Sequence, residues 1–277
     1  MNFIKAGHDS TNRPVELAYQ DFGTGKPVVL IHGWPVSLEM WDYQSLALAN
    51  AGFRAIPYTR RGFGDSSKPW DGYDYDTMAD DLKAVLDQLE LNDVTLVGFS
   101  MGGGEVARYM SRHQGARVAK VAFVASVTPF LLKTGDNPTG VDQSVFDEIR
   151  ENIEKDRAAF LESFGKTFYG VGVLKSPVSD AVLHGAWGLA MKASLKATLD
   201  CAQAFSSTDF RKDLATIKVP ALIIHGEADA TVPIAASGEQ TAKLLPQAKF
   251  LRYEGAPHGL FMTEKDRLNR DLIAFAG

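Results

Sequence analysis

The chain has 277 residues, a formal net charge of −5 and a single cysteine, and 45% of its residues are hydrophobic. This composition suits a globular protein with a sizeable core. The absence of a basic run argues against nucleic-acid or membrane-surface binding. One cysteine excludes an internal disulfide, and neither a signal-peptide core nor a membrane-spanning stretch is visible. We therefore expect a cytoplasmic protein.

Short apolar strands alternate with helical patterns along the first half of the chain. The predicted strands cover residues 15–19, 27–31, 53–57, 94–97 and 121–125. The helical patterns cover residues 37–50, the face carrying Met78, Leu82, Val85, Leu86 and Leu89, and residues 105–111. Asp74 or Asp76 is a plausible N-cap of the second helix. This alternation predicts a mainly parallel sheet with helices on both faces.

A serine lies in a glycine-rich turn directly after the strand at residues 94–97. The turn reads GFSMG at residues 98–102, and a helical pattern follows it. This strand–turn–helix context is typical of the G-x-S-x-G nucleophile elbow, in which a sharp turn exposes the serine hydroxyl. The pattern predicts that Ser100 is a nucleophile, although the motif alone also fits an ordinary glycine-rich turn.

A serine hydroxyl needs a base within hydrogen-bond reach, and the base needs an orienting acid. With this type of elbow, the chain order is serine, acid, histidine. Strands predicted at residues 221–226 and 249–253 end in loops that carry Asp229 and His258. Loops after parallel strands meet at the sheet edge where ligands bind. We therefore predict Asp229 as the acid and His258 as the base, with Glu227 as the competing acid.

The other five histidines are expected to have structural roles. His225 ends a strand before the acid, and His32 lies in a loop that it is expected to brace. His8, His113 and His184 fit surface or packing positions. This leaves the histidine of the last strand-end loop as the predicted base.

Acyl transfer creates a negatively charged oxygen that needs preorganised N–H donors, together called an oxyanion hole. One donor is the residue after the nucleophile, and the other lies in the loop after an early strand. That loop reads HGWP at residues 32–35, and its proline has no N–H. The sequence therefore predicts the N–H groups of Trp34 and Met101 as the two donors.

Strand patterns stop between Thr134 and Asp209, where helical runs follow one another. These runs cover residues 145–155, 157–168, 178–189 and 193–205. We predict a core of residues 1–133 and 210–277, with a helical cap inserted at residues 134–209. A cap excludes water from the edge that it covers. The candidate pocket residues are Phe130, Phe164, Phe168 and Trp187; alternatively, each only attaches the cap to the core.

As a set, six segments resemble the α/β-hydrolase superfamily, and within it the cofactor-free (non-haem) haloperoxidase, esterase and perhydrolase group. They read VLIHGWP (29–35), RRGFGDSS (60–67), GYDYDT (72–77), GFSMG (98–102), HGEAD (225–229) and GAPHG (255–259). The resemblance implies an α/β-hydrolase fold with a mostly parallel eight-stranded sheet, helices on both faces and an inserted cap. The family usually has Asp where this chain has Thr59, so ion pairs of Arg60 or Arg61 are expected to differ.

The resemblance also implies a serine triad that takes an acyl group from a small carboxylic ester. Water as the acceptor gives hydrolysis, and hydrogen peroxide gives a peracid that oxidises halide away from the site. No metal or other cofactor is implied, and members commonly form oligomers, which leaves a homo-oligomer open. A γ-lactamase or amidase using the same triad is the alternative enzyme. A ligand-binding, receptor-like member of the fold is the alternative outside enzymes.

Overall fold

The computed structural model describes residues 1–173 and 176–277. The strands in these ranges are β1 (Asn2–His8), β2 (Pro14–Tyr19), β3 (Pro27–Ile31), β4 (Arg54–Tyr58), β5 (Val94–Phe99), β6 (Val118–Val124), β7 (Ala221–Gly226) and β8 (Lys249–Tyr253). They form one eight-stranded sheet in the order β1-β2-β4-β3-β5-β6-β7-β8. From β4 to β8 along this order the strands are parallel, whereas β1 and β2 are antiparallel additions. The predicted mostly parallel sheet is confirmed.

The helices of the same ranges are α1 (Asp42–Asn50), α2 (Tyr75–Gln88), α3 (Met101–Arg112), α4 (Gln143–Phe168), α5 (Asp180–Met191), α6 (Leu195–Ser207), α7 (Arg211–Leu214), α8 (Gly238–Leu244), α9 (Leu260–Thr263) and α10 (Lys265–Ala276). A 3-10 helix, Leu38–Trp41, precedes α1, so the helix predicted at residues 37–50 consists of two segments. Asp74 caps α2 by accepting a hydrogen bond from the N–H of Thr77 at 2.9 Å. None of these helices combines the length and apolar character needed to cross a bilayer.

The buried strand β3 shows why helices cover both faces of the sheet. Successive side chains of a strand point to opposite faces. Val29 and Ile31 belong to an apolar cluster with α2 and α3, whereas Val28 and Leu30 belong to a second cluster with α1 and α10. Each face therefore buries its own set of side chains under its own helices, and the predicted arrangement is confirmed.

Between β6 and β7 the described part of the chain forms α4, α5, α6 and α7, and α4 packs against both α5 and α6. The backbone of α4 is interrupted at Asp156, which has φ −158° and ψ 88°. This interruption separates the two helical runs predicted at residues 145–155 and 157–168. Leu174 and Lys175, which fall inside the predicted cap, lie outside the described residues.

Thr59 and the two arginines after it are buried at the end of β4. The Thr59 Oγ1 accepts a hydrogen bond from the N–H of Leu38 at 3.2 Å. Arg60 forms an ion pair with Glu105 of α3, and Arg61 forms one with Asp81 of α2. Thr59 therefore accepts a hydrogen bond from a neighbouring backbone N–H, and the carboxylates that pair with the two arginines lie on α3 and α2.

Candidate active site

The turn between β5 and α3 holds Ser100 in a strained backbone conformation. Its φ is 53° and its ψ is −118°, a region that non-glycine residues rarely adopt. Such strain costs about 1–3 kcal/mol and persists only where the surrounding structure enforces it. A Cβ on Gly98 would lie 2.4 Å from the carbonyl oxygen of Gly102, so only glycine fits beside this turn. The sharp strand–turn–helix geometry predicted from the motif is present.

Ser100, His258 and Asp229 form a continuous chain of hydrogen bonds. The His258 Nε2 lies 3.0 Å from the Ser100 Oγ, and its Nδ1 lies 2.7 Å from the Asp229 Oδ2. An ionised carboxylate can only accept, so Nδ1 carries the proton and Nε2 is left to accept from the serine hydroxyl. All three residues are buried. The structure thus brings together the three residues that the sequence analysis selected.

Four donors surround the Asp229 carboxylate. Its Oδ1 accepts from the N–H groups of Thr231 at 2.9 Å and Val232 at 2.8 Å. Its Oδ2 faces His258 and also the His225 Nε2, which lies 3.3 Å away. Burial alone raises the pKa of this carboxyl, but the charge of His258 and hydrogen bonds from His225 and His258 outweigh it and lower the pKa. The group therefore stays ionised at neutral pH.

Two further residues lie near Asp229: Glu227, which the sequence also offered as the acid, and His225, whose contact with Asp229 was not predicted. Glu227, the competing acid, is exposed and pairs with Arg252 at 2.7 Å, so it lies outside the hydrogen-bonded chain. The position of His225 before the acid argues against a role as the base. In the structure its ring contacts Asp229 and also hydrogen-bonds to the carbonyl of Val232 at 2.9 Å. The sequence feature that could have indicated this contact is the position of His225 at the end of β7, immediately before the loop that carries Asp229.

His32 has the bracing role that was predicted for it. The ring is fully buried, its Nε2 accepts from the N–H of Arg60 at 3.0 Å, and its Nδ1 donates to the carbonyl of Gly33 at 2.7 Å. Burial lowers the pKa of His32 well below its ordinary value. The ring is therefore neutral, with its proton on Nδ1, and it holds the loop after β3.

The two predicted oxyanion donors lie on segments that flank Ser100. Met101 is the first residue of α3, directly after Ser100. A Cβ on Gly33 would lie 3.0 Å from the Ser100 Cβ, so the loop that carries Trp34 packs directly against Ser100. Within the described part of the chain, neither the Trp34 nor the Met101 backbone N–H has a hydrogen-bond acceptor. Both N–H groups therefore remain candidate donors for an oxyanion.

A cavity of about 320 Å³ opens above Ser100 and His258. Aromatic side chains form much of its wall: Trp34, Phe146, Phe160, Phe164 and Phe205. The Trp34 ring packs edge-on against Phe164 at 5.2 Å and Phe205 at 5.6 Å between ring centroids. Its Nε1 donates to the carbonyl of Thr198 at 3.0 Å, which ties the wall to α6. A small apolar group attached to a reacting carbonyl would fit this space.

The structure places the four predicted pocket residues differently relative to this cavity. Phe164 lines the cavity, but Phe130, Phe168 and Trp187 do not. The Phe130 ring lies against the Arg211 guanidinium, 5.3 Å away. The Phe168 ring packs against the His258 ring at 4.8 Å between centroids, behind the site.

Trp187 donates from its Nε1 to the carbonyl of Ala158 at 3.0 Å and borders a separate small cavity of about 20 Å³. The residues that the prediction missed, Phe146, Phe160 and Phe205, lie on the inward faces of α4 and α6. Which face of these helices points inward depends on how they pack over the core. The sequence pattern alone does not define that packing.

A family model described as the alpha/beta hydrolase fold matches residues 26–265, so the chain belongs to this family. It is 40% identical to the non-heme chloroperoxidase CPO-A1 of Kitasatospora aureofaciens over 268 residues, 96% of this chain and 98% of that protein. It is also 40% identical to the bifunctional esterase/perhydrolase DCH of Acinetobacter calcoaceticus over 272 residues, 97% and 99% of the two chains. The crystal structure of a bromoperoxidase from Bacillus anthracis superimposes with a TM-score of 0.95 at 49% identity, covering 99% and 98% of the chains. The resemblance stated from the sequence is confirmed.

Proposed function

We propose that this protein is a serine-dependent acyl-transfer enzyme that hydrolyses small carboxylic esters and also transfers the acyl group to hydrogen peroxide. The observation that carries this proposal is the hydrogen-bonded chain of Ser100, His258 and Asp229 at the floor of an apolar cavity. The relatives named chloroperoxidase and esterase/perhydrolase support the choice of ester and peroxide as reactants. We expect acetyl and similar short acyl groups to be transferred.

In the first half-reaction, the Ser100 hydroxyl attacks the ester carbonyl while His258 takes its proton. The carbonyl π electrons move to the oxygen, which accepts hydrogen bonds from the N–H groups of Trp34 and Met101. Asp229 holds the His258 ring in the productive tautomer and stabilises the imidazolium. The tetrahedral intermediate then collapses, the alcohol leaves with the proton from His258, and the acyl-enzyme remains.

In the second half-reaction, His258 removes a proton from water or hydrogen peroxide, which attacks the acyl carbon. Collapse of the second tetrahedral intermediate breaks the bond to the Ser100 Oγ, which recovers its proton from His258. Water gives a carboxylic acid, and hydrogen peroxide gives a peracid. The peracid oxidises halide to hypohalite in solution and is itself reduced to the carboxylic acid.

We propose that residues 134–209 act as a cap over this chemistry, with residues 1–133 and 210–277 as the core. The support is that α4 and α6 supply much of the aromatic wall above Ser100. A cap that excludes bulk water strengthens the hydrogen bonds to the oxyanion and limits the size of the acyl group.

The single free cysteine, Cys201, supports a cytoplasmic location. A homo-oligomer is proposed only by analogy with the group.

The test compares wild type with Ser100→Ala in two assays run with a chelator present. The first follows p-nitrophenyl acetate hydrolysis, and the second follows monochlorodimedone halogenation with acetate, bromide and hydrogen peroxide. We expect the variant to lose both activities, with kcat falling by up to roughly 10⁶-fold. Substantial ester turnover by the folded variant would contradict the proposal.

The same assays separate the proposal from its alternatives. Ester turnover without peracid formation would remove the perhydrolase part and leave the esterase. Faster cleavage of a γ-lactam than of the ester would favour an amidase. Tight binding of a small ligand by wild type, without turnover of any activated ester, would favour a receptor-like role.

A further inference from the structure

Arg60 is a fully buried arginine that contacts two segments of the site at once. Its side chain and that of Glu105 are each 1% exposed. The Arg60 Nε and Nη2 donate to the Glu105 Oε2 at 3.0 and 2.8 Å. The Nη2 also donates to the carbonyl of His32 at 2.8 Å, and the backbone N–H of Arg60 donates to the His32 Nε2 at 3.0 Å. One residue thus holds a loop and a helix together.

These two segments are the ones that carry the proposed oxyanion donors. His32 lies two residues before Trp34, and its Nδ1–H fixes the intervening carbonyl of Gly33. Glu105 lies one turn of α3 after Met101. The separation between the two donor N–H groups is therefore set through a short path: the loop, His32, Arg60, Glu105 and the first turn of the helix.

Further contacts restrict the Glu105 carboxylate. Its Oε1 accepts a hydrogen bond from the Tyr58 hydroxyl, so both of its oxygens have donors. A buried ion pair contributes little net stability, because desolvation opposes the attraction between the charges. Two guanidinium N–H groups on one carboxylate oxygen nevertheless restrict the orientation of both side chains. We therefore expect the Arg60–Glu105 ion pair to matter more for the geometry of the site than for the stability of the protein.

The neighbouring Arg61 supplies a natural comparison. Its Nε and Nη2 donate to the Asp81 carboxylate at 2.7 and 2.6 Å, and these side chains are 4% and 3% exposed. Asp81 lies on α2, and among the described residues neither Arg61 nor Asp81 has a side-chain hydrogen bond to the loop after β3 or to α3. The two adjacent arginines therefore form similarly buried ion pairs, and it is the Arg60 pair that is hydrogen-bonded to both oxyanion segments.

We propose that Arg60, through Glu105 and His32, is a positioning residue that fixes the spacing of the Trp34 and Met101 N–H groups for the oxyanion. This inference rests on the proposed acyl-transfer function. The two adjacent arginines then have different roles: Arg60 positions the two N–H donors, and Arg61 attaches the loop after β4 to α2.

The experiment compares Arg60→Lys and Glu105→Gln with Arg61→Lys and Asp81→Asn. Each variant is characterised by its Tm, by kcat and KM for p-nitrophenyl acetate, and by the inhibition constant of 1,1,1-trifluoroacetone. Attack of Ser100 on this ketone forms a C–O bond, sends the carbonyl π electrons to oxygen and transfers the serine proton to His258. The adduct thus needs the same donors as the reaction.

For Arg60→Lys and Glu105→Gln we expect kcat to fall about 10- to 100-fold, less than the 10²–10³-fold loss of a whole donor. KM should stay within a few-fold, and the inhibition constant should rise by the same factor as kcat falls. Arg61→Lys and Asp81→Asn should lower Tm comparably while leaving kcat and the inhibition constant near wild type.

A fall in kcat without weaker inhibitor binding would overturn the inference, and so would equal kinetic losses in the Arg61 and Asp81 variants. Glu105→Gln keeps the shape of the side chain but removes the negative charge that the Arg60 guanidinium binds, so it decides the question if Arg60→Lys does not fold. Failure of wild type to show Ser100-dependent turnover would instead overturn the proposed function, which this comparison distinguishes from failure of the positioning role.

Discussion

Two carboxylates on one loop, Asp229 and Glu227, differ sharply in environment. Asp229 is buried with its oxygens facing four donors, whereas Glu227 is exposed and pairs with Arg252. We expect Asp229→Asn to lower kcat about 10⁴-fold, because an amide favours the wrong tautomer of His258. Steady-state hydrolysis of p-nitrophenyl acetate measures this loss.

Glu227→Gln is the matched control for that substitution, since it makes the same chemical change two residues away. Its kcat should remain within a few-fold of wild type, because an exposed ion pair contributes little. Equal losses in the two variants would contradict the assignment of Asp229 as the orienting acid.

Single residues also show where the sequence was informative. Ser100, Asp229 and His258 could be selected because each follows a strand at the same sheet edge and their chain order is characteristic of the fold. The contact of His225 with Asp229 could not, because it depends on how the loop after β7 folds back. The partners of Arg60 and Arg61 likewise lie far along the chain, on α3 and α2.

At the scale of elements, the elbow between β5 and α3 depends on close backbone packing. We expect Gly98→Ala to destabilise the protein by about 1–3 kcal/mol, because the new Cβ would lie 2.4 Å from a backbone oxygen that has little room to move. Urea unfolding measures the change in the free energy of unfolding.

Gly188→Ala in α5 is the control for the elbow substitution. A Cβ at this position meets no atom within 4 Å, and alanine favours a helix over glycine by about 1 kcal/mol. The control should therefore be neutral or more stable than wild type. A neutral effect of Gly98→Ala would show that the elbow backbone can relax, contrary to this account.

Phe164 lines both the cavity above Ser100 and the smaller apolar cavity beside Trp187, so we expect its ring to separate the two. Phe164→Ala should join the two and favour longer acyl chains, at about 0.8 kcal/mol for each additional buried methylene. The measurement is kcat/KM for p-nitrophenyl esters from acetate to octanoate. Trp187→Phe, which leaves Phe164 in place, should keep the wild-type profile; the same profile in Phe164→Ala would refute the separating role.

The strands and the helices from α1 to α6 were largely predictable from periodicity, whereas α7 to α10 were not predicted. The strands at 27–31, 221–226 and 249–253 match β3, β7 and β8 residue for residue. β1 was not predicted, because it lies at the sheet edge and only Ile4 among its residues is buried. The aromatic wall was only partly predicted, since the rotation of α4 and α6 over the core is a tertiary property.

At the scale of the whole molecule, two apolar clusters enclose the sheet, and Cys201 belongs to one of them. Burial raises the pKa of the Cys201 thiol to about 12, so the thiol stays protonated at neutral pH. We expect Ellman's reagent to leave the native protein unmodified and to react at once in denaturant, because a thiolate is the reactive form. Rapid reaction of the native protein would show that α6 opens without global unfolding.

The central claim is that Ser100 forms a covalent intermediate with a carbonyl or equivalent centre. The most direct measurement treats wild type and Ser100→Ala with diethyl p-nitrophenyl phosphate and locates the label by peptide mass spectrometry. For wild type we expect release of one equivalent of p-nitrophenolate, loss of esterase activity and a diethylphosphoryl group on Ser100, and for the variant we expect no label. Inactivation with the label on another residue, or retained activity in a fully labelled enzyme, would contradict it.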